Sequence, residues 1–157
     1  MRRWILLLTL MVASPAWAQT NINLGGITTD PGAPVEVAAD SLSVDQDTGT
    51  AIFDGNVVIG QGALRIAAGR AQVVYDATSG DIASFEATGG VTFANGQEAA
   101  EAQSANYDLK NGNLVLIGEV LLTQGASALS ADRMTIDVAT GNAQMEGRVR
   151  TVFQQGN

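Results

Sequence analysis

The chain has no cysteine and no histidine in 157 residues. The first absence removes disulfides and thiol nucleophiles, and the two together remove imidazole acid–base chemistry and the usual ligands of zinc. Basic residues are scarce: eight Lys and Arg stand against sixteen Asp and Glu, a net charge of −8. A protein that neutralises backbone phosphates needs a basic face, so nucleic acid is not a partner. Aromatic residues make up only 5% of the chain, which leaves aliphatic side chains to build any core. The longest apolar run, Trp4 to Val12, is well short of the roughly 20 residues that cross a bilayer as a helix.

That run has a different use. Arg2 and Arg3 precede it and Ala16-Trp17-Ala18 follows it, the small-x-small pattern that a signal peptidase reads. Residues 1–18 are therefore a cleavable signal peptide, and the mature chain starts at Gln19, outside the cytoplasm. Cleavage takes two of the eight basic residues, leaving six against sixteen acidic ones and a net charge of −10. Residues 19–34 are polar, hold two of the three prolines and show no period. They read as a flexible leader.

What the sequence does have is glycine in register. An aspartate followed after three residues by a glycine occurs at Asp45/Gly49, Asp76/Gly80, Asp108/Gly112 and Asp137/Gly141, with the glycines 31, 32 and 29 residues apart. Such even spacing marks a repeat. Gly-x-Val follows six residues later at Gly55, Gly118 and Gly147, whereas Gly89-Gly90-Val91 comes nine after Gly80. A looser turn lies between successive repeats, at Gly60-Gln61-Gly62, Asn95-Gly96-Gln97 and Gln124-Gly125. Each repeat thus holds about two strands, roughly eight in all. The aspartate can bond its own downstream backbone and the glycine can take positive φ, so the four phrases are turn signals.

Even offsets from the repeat glycine give one apolar face. It carries Phe53, Val57 and Ile59 in the first unit, Leu116, Val120 and Leu122 in the third, and Met145, Val149 and Phe153 in the fourth. The opposite face of the last strand carries Gln144, Glu146, Arg148 and Arg150, the period of a half-buried strand. In the third unit Val115, Ile117 and Leu121 make the second face apolar too, which predicts cover on both sides. The second unit is confused until Val91 and Phe93 restore the pattern, and a bulge is expected there. Corners or bulges are also expected at the mid-strand glycines Gly55, Gly118 and Gly147. Two uses of the apolar face remain open, a closed sandwich core or a groove for an apolar ligand.

Catalytic readings are poor. Asp45 with Asp47, or Asp54 with Glu119, are the carboxylate pairs that could flank a glycosidic bond, but the repeat aspartates stand where turns need them. Calcium rolls carry Gly-Gly-x-Gly-x-Asp, and that pattern is absent. The chain is read as no enzyme, with no cofactor and no metal site.

Ala39-Asp40-Ser-Leu-Ser-Val-Asp45, followed by Gly49-x-Ala-x-Phe-Asp-Gly55-Asn56-Val57, together with the later Ala131-Asp132-Arg-Met-Thr-Ile-Asp137 and Gly147-Arg-Val149, resembles the OstA-like (LptA) family of periplasmic lipopolysaccharide-transport proteins. The likeness spans 35–153 and leaves 154–157 as a tail. It implies an all-β fold, an antiparallel, slightly open and twisted β-jellyroll built from about four two-strand repeats, in the periplasm. It also implies a non-catalytic carrier whose interior shelters the lipid A acyl chains of lipopolysaccharide on Phe53, Val57, Ile59, Val91, Phe93, Leu116, Val120, Leu122, Met145, Val149 and Phe153. Edge strands at Val37, Leu42 and Val44 and at Val149 and Val152 would join copies head to tail, or meet an inner-membrane LptC-like component and the outer-membrane translocon. A secreted structural or adhesive repeat protein with a closed core is the alternative.

Overall fold

The computed structural model describes residues 22–23, 32–96 and 98–154; the signal-peptide expectation for 1–18 lies outside them. Among the described residues there is no helix. Thirteen strands form a single antiparallel sheet. They are β1 (Ile22–Asn23), β2 (Val35–Ala38), β3 (Ser41–Asp45), β4 (Thr50–Gln61), β5 (Leu64–Tyr75), β6 (Ile82–Thr88) and β7 (Val91–Asn95), then β8 (Glu98–Ala102), β9 (Ser104–Asp108), β10 (Asn113–Gln124), β11 (Ser127–Asp137), β12 (Asn142–Glu146) and β13 (Arg150–Val152). Of the leader, Ile22–Asn23 pairs with β12 at Asn142 and Ala143.

Twelve of the thirteen segments amount to eight long lanes, and β1 lies outside them against β12. Strands β4, β5, β10 and β11 each run a whole lane, while β2 with β3, β6 with β7, β8 with β9 and β12 with β13 are lanes interrupted midway. The interruptions share one cause. At Gly55-Asn56, Gly89-Gly90, Gly118-Glu119 and Gly147-Arg148 two successive residues take positive φ, from 45° to 83°. The register of β4 with β5 skips between Asp54 and Val57, and that of β10 with β11 skips between Ile117 and Val120. Two residues thus oppose one, a bulge that bends the strand.

The odd lanes supply the facing residue of each corner. Asp40 N donates to Gly55 O at 2.8 Å, Gln103 N to Gly118 O at 2.9 Å and Asp132 N to Gly147 O at 2.9 Å. The side chain of the same residue lies over the glycine and bonds the next one: Asn56 Nδ2 donates to Asp40 Oδ2 at 2.8 Å, Gln103 Nε2 to Glu119 Oε2 at 3.0 Å, and Arg148 Nη2 to Asp132 Oδ1 at 2.6 Å. At the remaining corner two glycines meet, and a Cβ on Gly69 would stand 3.2 Å from Gly89 O. The corners expected at Gly55, Gly118 and Gly147 are present, with Gly89-Gly90 as the fourth.

Bent along this line, the sheet folds into two facing leaves, a twisted antiparallel jellyroll. One leaf carries β3, β6, β9 and β12; the other carries β2, β7, β8 and β13. Their inner faces share one core, and Tyr107 of β9 reaches across to donate to Gln61 Oε1 of β4 at 3.1 Å. The four Asp-x-x-x-Gly turns lie together at one end. In each, the aspartate Oδ1 accepts from the backbone N–H two and three residues on, at 2.8–3.2 Å, and the glycine has φ between 63° and 76°.

Three sequence expectations need correction. Gly60 and Gln61 belong to β4, and the turn there is Gly62-Ala63. The second face of β10 is not covered: Val115 and Ile117 are half-buried and Leu121 is exposed. The expected eight strands are the eight lanes, but the corners divide four of them. The irregular second unit does contain a bulge. Val74 pairs with Ser84 and Tyr75 with Ile82, so Ala83 is an extra residue.

A strap joins two of the turns. Lys110 donates to Asp76 Oδ2, and this bond, with backbone donors Thr78 and Ser79, lowers the Asp76 carboxyl from 3.8 to about 2. A carboxyl lowered on folding adds stability above its unfolded pKa and loses it as the pH falls through the folded one. Asp76→Asn keeps the turn, because an amide oxygen accepts the same N–H groups, and loses the ion pair. Its melting temperature is expected to fall less steeply than that of the wild type between about pH 4 and about pH 2; parallel acid limbs would contradict this.

Candidate functional site

Three of the four carboxylates weighed as catalytic pairs are engaged elsewhere. Asp54 Oδ2 accepts from Arg70 at 2.7 Å on the outer face, Glu119 sits at its corner with Gln103, and Asp45 caps its turn. Among the described residues no group of three or more His, Cys, Asp or Glu is placed to hold a metal ion.

The inner face is the more informative surface. Because directly opposed residues of antiparallel strands share a face, the register links side chains into rows that cross all eight lanes. One row runs from Leu42 through Phe53, Ala71, Ala87, Ala105, Leu116 and Met134 to Met145. Its middle is closed: Ala71, Ala87, Ala105, Leu116 and Met134 are buried. Phe53 and Met145 are half-buried, and Leu42, at the first lane, is 56% exposed. The next row begins at Val44, which is 59% exposed, and crosses Ala51, Val73 and Phe85, all buried. A third goes from half-buried Val37 through Ile59, Ile66 and Phe93 to exposed Thr151. The apolar inner face therefore outruns its own cover at the edges.

This placement sorts the residues named from sequence. Val57, Ile59, Val91, Phe93, Leu116, Val120 and Leu122 form the closed interior. Phe53 and Met145 are at its margins. Val149 and Phe153 are exposed beyond the corner of the last lane, Phe153 at 72%. Leu42 and Val44, named as edge residues, are at the same time uncovered inner-face residues. Val152 opposes Ala128, next to the inward pair Leu129 and Thr151, and so points outward. Leu129 and Met134 of β11 are buried members of the interior that even-offset counting missed. In the odd lanes one residue opposes the two of each corner, so inward positions there are three apart, as at Ala68 and Ala71, or Ala131 and Met134.

A fourth row was missed altogether. Gln61, Asn95 and Glu98 are buried on the inner face. Their signal was present, since Gln61 and Gln124 continue the even-offset series of their units, but polar residues are normally placed outside.

Comparison with known proteins places this geometry. Residues 36–142 match the family model described as LptA/(LptD N-terminal domain) LPS transport protein. The chain belongs to this family. The lipopolysaccharide export system protein LptA of Haemophilus influenzae is 33% identical over 137 residues, covering 79% of this chain and 78% of that protein. An uncharacterized protein of Rhizobium meliloti is 30% identical over 152 residues, 89% of this chain and 82% of its own length. Among solved structures, LptH of Pseudomonas aeruginosa, described as the LptA-homologous periplasmic component of the lipopolysaccharide transport device, superposes with a TM-score of 0.73 at 18% identity. The match covers 81% of this chain and 99% of that one. Family and jellyroll fold thus agree with the resemblance drawn from the repeated motifs.

Proposed function

We propose that this family member is a non-catalytic periplasmic carrier that holds lipopolysaccharide by its acyl chains and passes it towards the outer membrane. The supporting observation is the apolar inner face left uncovered at Leu42 and Val44. Large apolar side chains exposed together on a sheet face mark a binding surface, and burying them against hydrocarbon yields about 25 cal/mol per Å². The closed interior also fits the alternative, a structural β-repeat protein with no ligand, which gives the uncovered rows no use.

The two outermost lanes supply the means of joining partners, because exposed sheet edges template strand addition. With eight antiparallel lanes the first and last run in opposite directions, so a translated copy offers its first lane antiparallel to the last. On the last lane β1 occupies Asn142 and Ala143. Head-to-tail copies, an LptC-like inner-membrane component and the outer-membrane translocon are the partners in this reading.

Paired substitution of Leu42→Asp and Val44→Asp tests the carrier role. Both side chains are exposed, so the melting temperature should stay within about 2 °C of wild type. Lipopolysaccharide bound by the purified protein should fall about tenfold, the equivalent of 1.4 kcal/mol. Unchanged binding would show that the lipid is not held at these two residues, and a wild type that binds no lipopolysaccharide would favour the ligand-free structural reading.

A further inference from the structure

Each two-residue corner lies between single residues of both neighbouring lanes, except the last. Gly55-Asn56 has Asp40 on one side and Gly69 on the other, Gly89-Gly90 lies between Gly69 and Gln103, and Gly118-Glu119 between Gln103 and Asp132. Gly147-Arg148 has Asp132 on one side and, among the described residues, no strand on the other, since β1 reaches only Asn142 and Ala143. A groove of about 670 Å³ opens at this corner, walled by Leu121, Ser130, Asp132, Arg148, Val149 and Arg150. Leu121 and Val149 are exposed.

At the opposite edge of the sheet Asp40 serves the corner of β4 and faces no further strand among the described residues. The two edges differ in charge. The first lane carries Glu36, Asp40 and Asp45 and no basic residue, whereas the last carries Arg148 and Arg150 against one acid, Glu146. The inner rows fix how such edges would meet, because Leu42 and Met145 are the two ends of one row and Val37 and Thr151 the two ends of another. A second copy that continues both rows sets its Leu42 beside Met145 and its Val37 beside Thr151. That register carries its Asp40 to Gly147-Arg148 and its Glu36 to the diagonal neighbour of Arg150.

We infer that the last corner is completed by Asp40 of a second copy, whose carboxylate meets the Arg148 guanidinium and so sets the register in which copies stack. The inference rests on the head-to-tail reading and adds to it the pair of residues that fixes the register. The bonds it needs have counterparts within the chain. Gln103 O accepts from Gly90 N at 3.3 Å, the bond that Asp40 O of the second copy would accept from Arg148 N. Arg148 donates to Asp132 through Nε at 3.0 Å and Nη2 at 2.6 Å, which leaves Nη1 for a second carboxylate. Charges at an interface rim choose partner and register more than they add affinity.

Sedimentation velocity of the full mature chain, over a range of concentrations at low salt, tests this with Asp40→Asn, Arg148→Asn and the double variant. Asp40→Asn keeps an oxygen for the Asn56 amide, and asparagine tolerates the left-handed φ of 45° at position 148. Each single variant is expected to raise the dissociation constant of self-association about fivefold. The double variant should also lose only about fivefold, because both substitutions remove the same contact. A double variant weakened about 25-fold, or single variants that associate like wild type, overturns the corner contact and leaves head-to-tail assembly standing. A wild type that stays monomeric throughout overturns both. Where a variant does not fold, mixed single-cysteine proteins decide: Ser41→Cys should form a disulfide with Glu146→Cys, directly opposite in this register, and not with Gln144→Cys. The reverse, or no bond with either, overturns the register.

Discussion

Gly118→Ala is expected to destabilise the protein by about 2–4 kcal/mol, lowering the melting temperature by roughly 8–15 °C. Two costs combine. At φ +83° an alanine carries the left-handed penalty of about 1–2 kcal/mol. Its Cβ would also stand 2.5 Å from Gln103 Oε1 and 3.0 Å from Gln103 Cβ. The amide end can swing aside, at the loss of its bond to Glu119; the Cβ is anchored to the strand and cannot. Gly125→Ala separates the two costs. Gly125 has φ +56° and open space around it, so this variant pays only the backbone penalty of about 1 kcal/mol. Equal losses for the two variants in thermal melts would mean that the corner contact adds nothing.

The second large effect concerns the interior. Phe93→Ala should cost about 3–5 kcal/mol. Phe93 is among the largest fully buried side chains, opposed by Ile66 on one side and Ala100 on the other. Ala100 is too short to fill the space a lost ring leaves, so little of the cavity can collapse. Phe153→Ala is the matched control, since that ring is exposed and its loss should change stability by no more than about 0.5 kcal/mol. A Phe93→Ala variant that unfolds at the same denaturant concentration as wild type would show that the leaves do not pack on each other as described.

Much of this was legible in the chain. The Asp-x-x-x-Gly phrases named the four turns because an aspartate side chain and a left-handed glycine impose the same local geometry wherever they occur. The Gly-x-Val phrases named three of the four corners. The fourth, Gly89-Gly90, was masked because it stands nine residues after its turn glycine instead of six, and the bulge at Ala83 supplies one of the three extra residues. The inward residues of the even lanes followed simple alternation, since a two-residue corner preserves the period. In the odd lanes a single residue faces each corner and the period slips, so Leu129 and Met134 were not found. Exposure was not legible at all. Leu42 and Leu116 lie in one row and read alike in sequence, yet one is open and the other closed, because cover depends on how the folded leaves close over each other. The buried polar row was present in the pattern, but only the register lines its members up.

The most direct test of the carrier is photo-cross-linking in cells, with a benzoylphenylalanine at Leu42 and, separately, at its neighbour Ser43. Ser43 opposes Ile52 and lies on the outer face, while Leu42 opposes Phe53 on the inner one. Lipopolysaccharide adducts at position 42 and none at position 43 are the expected result. No adduct at 42, or equal labelling at both, would contradict a lipid held on the inner face.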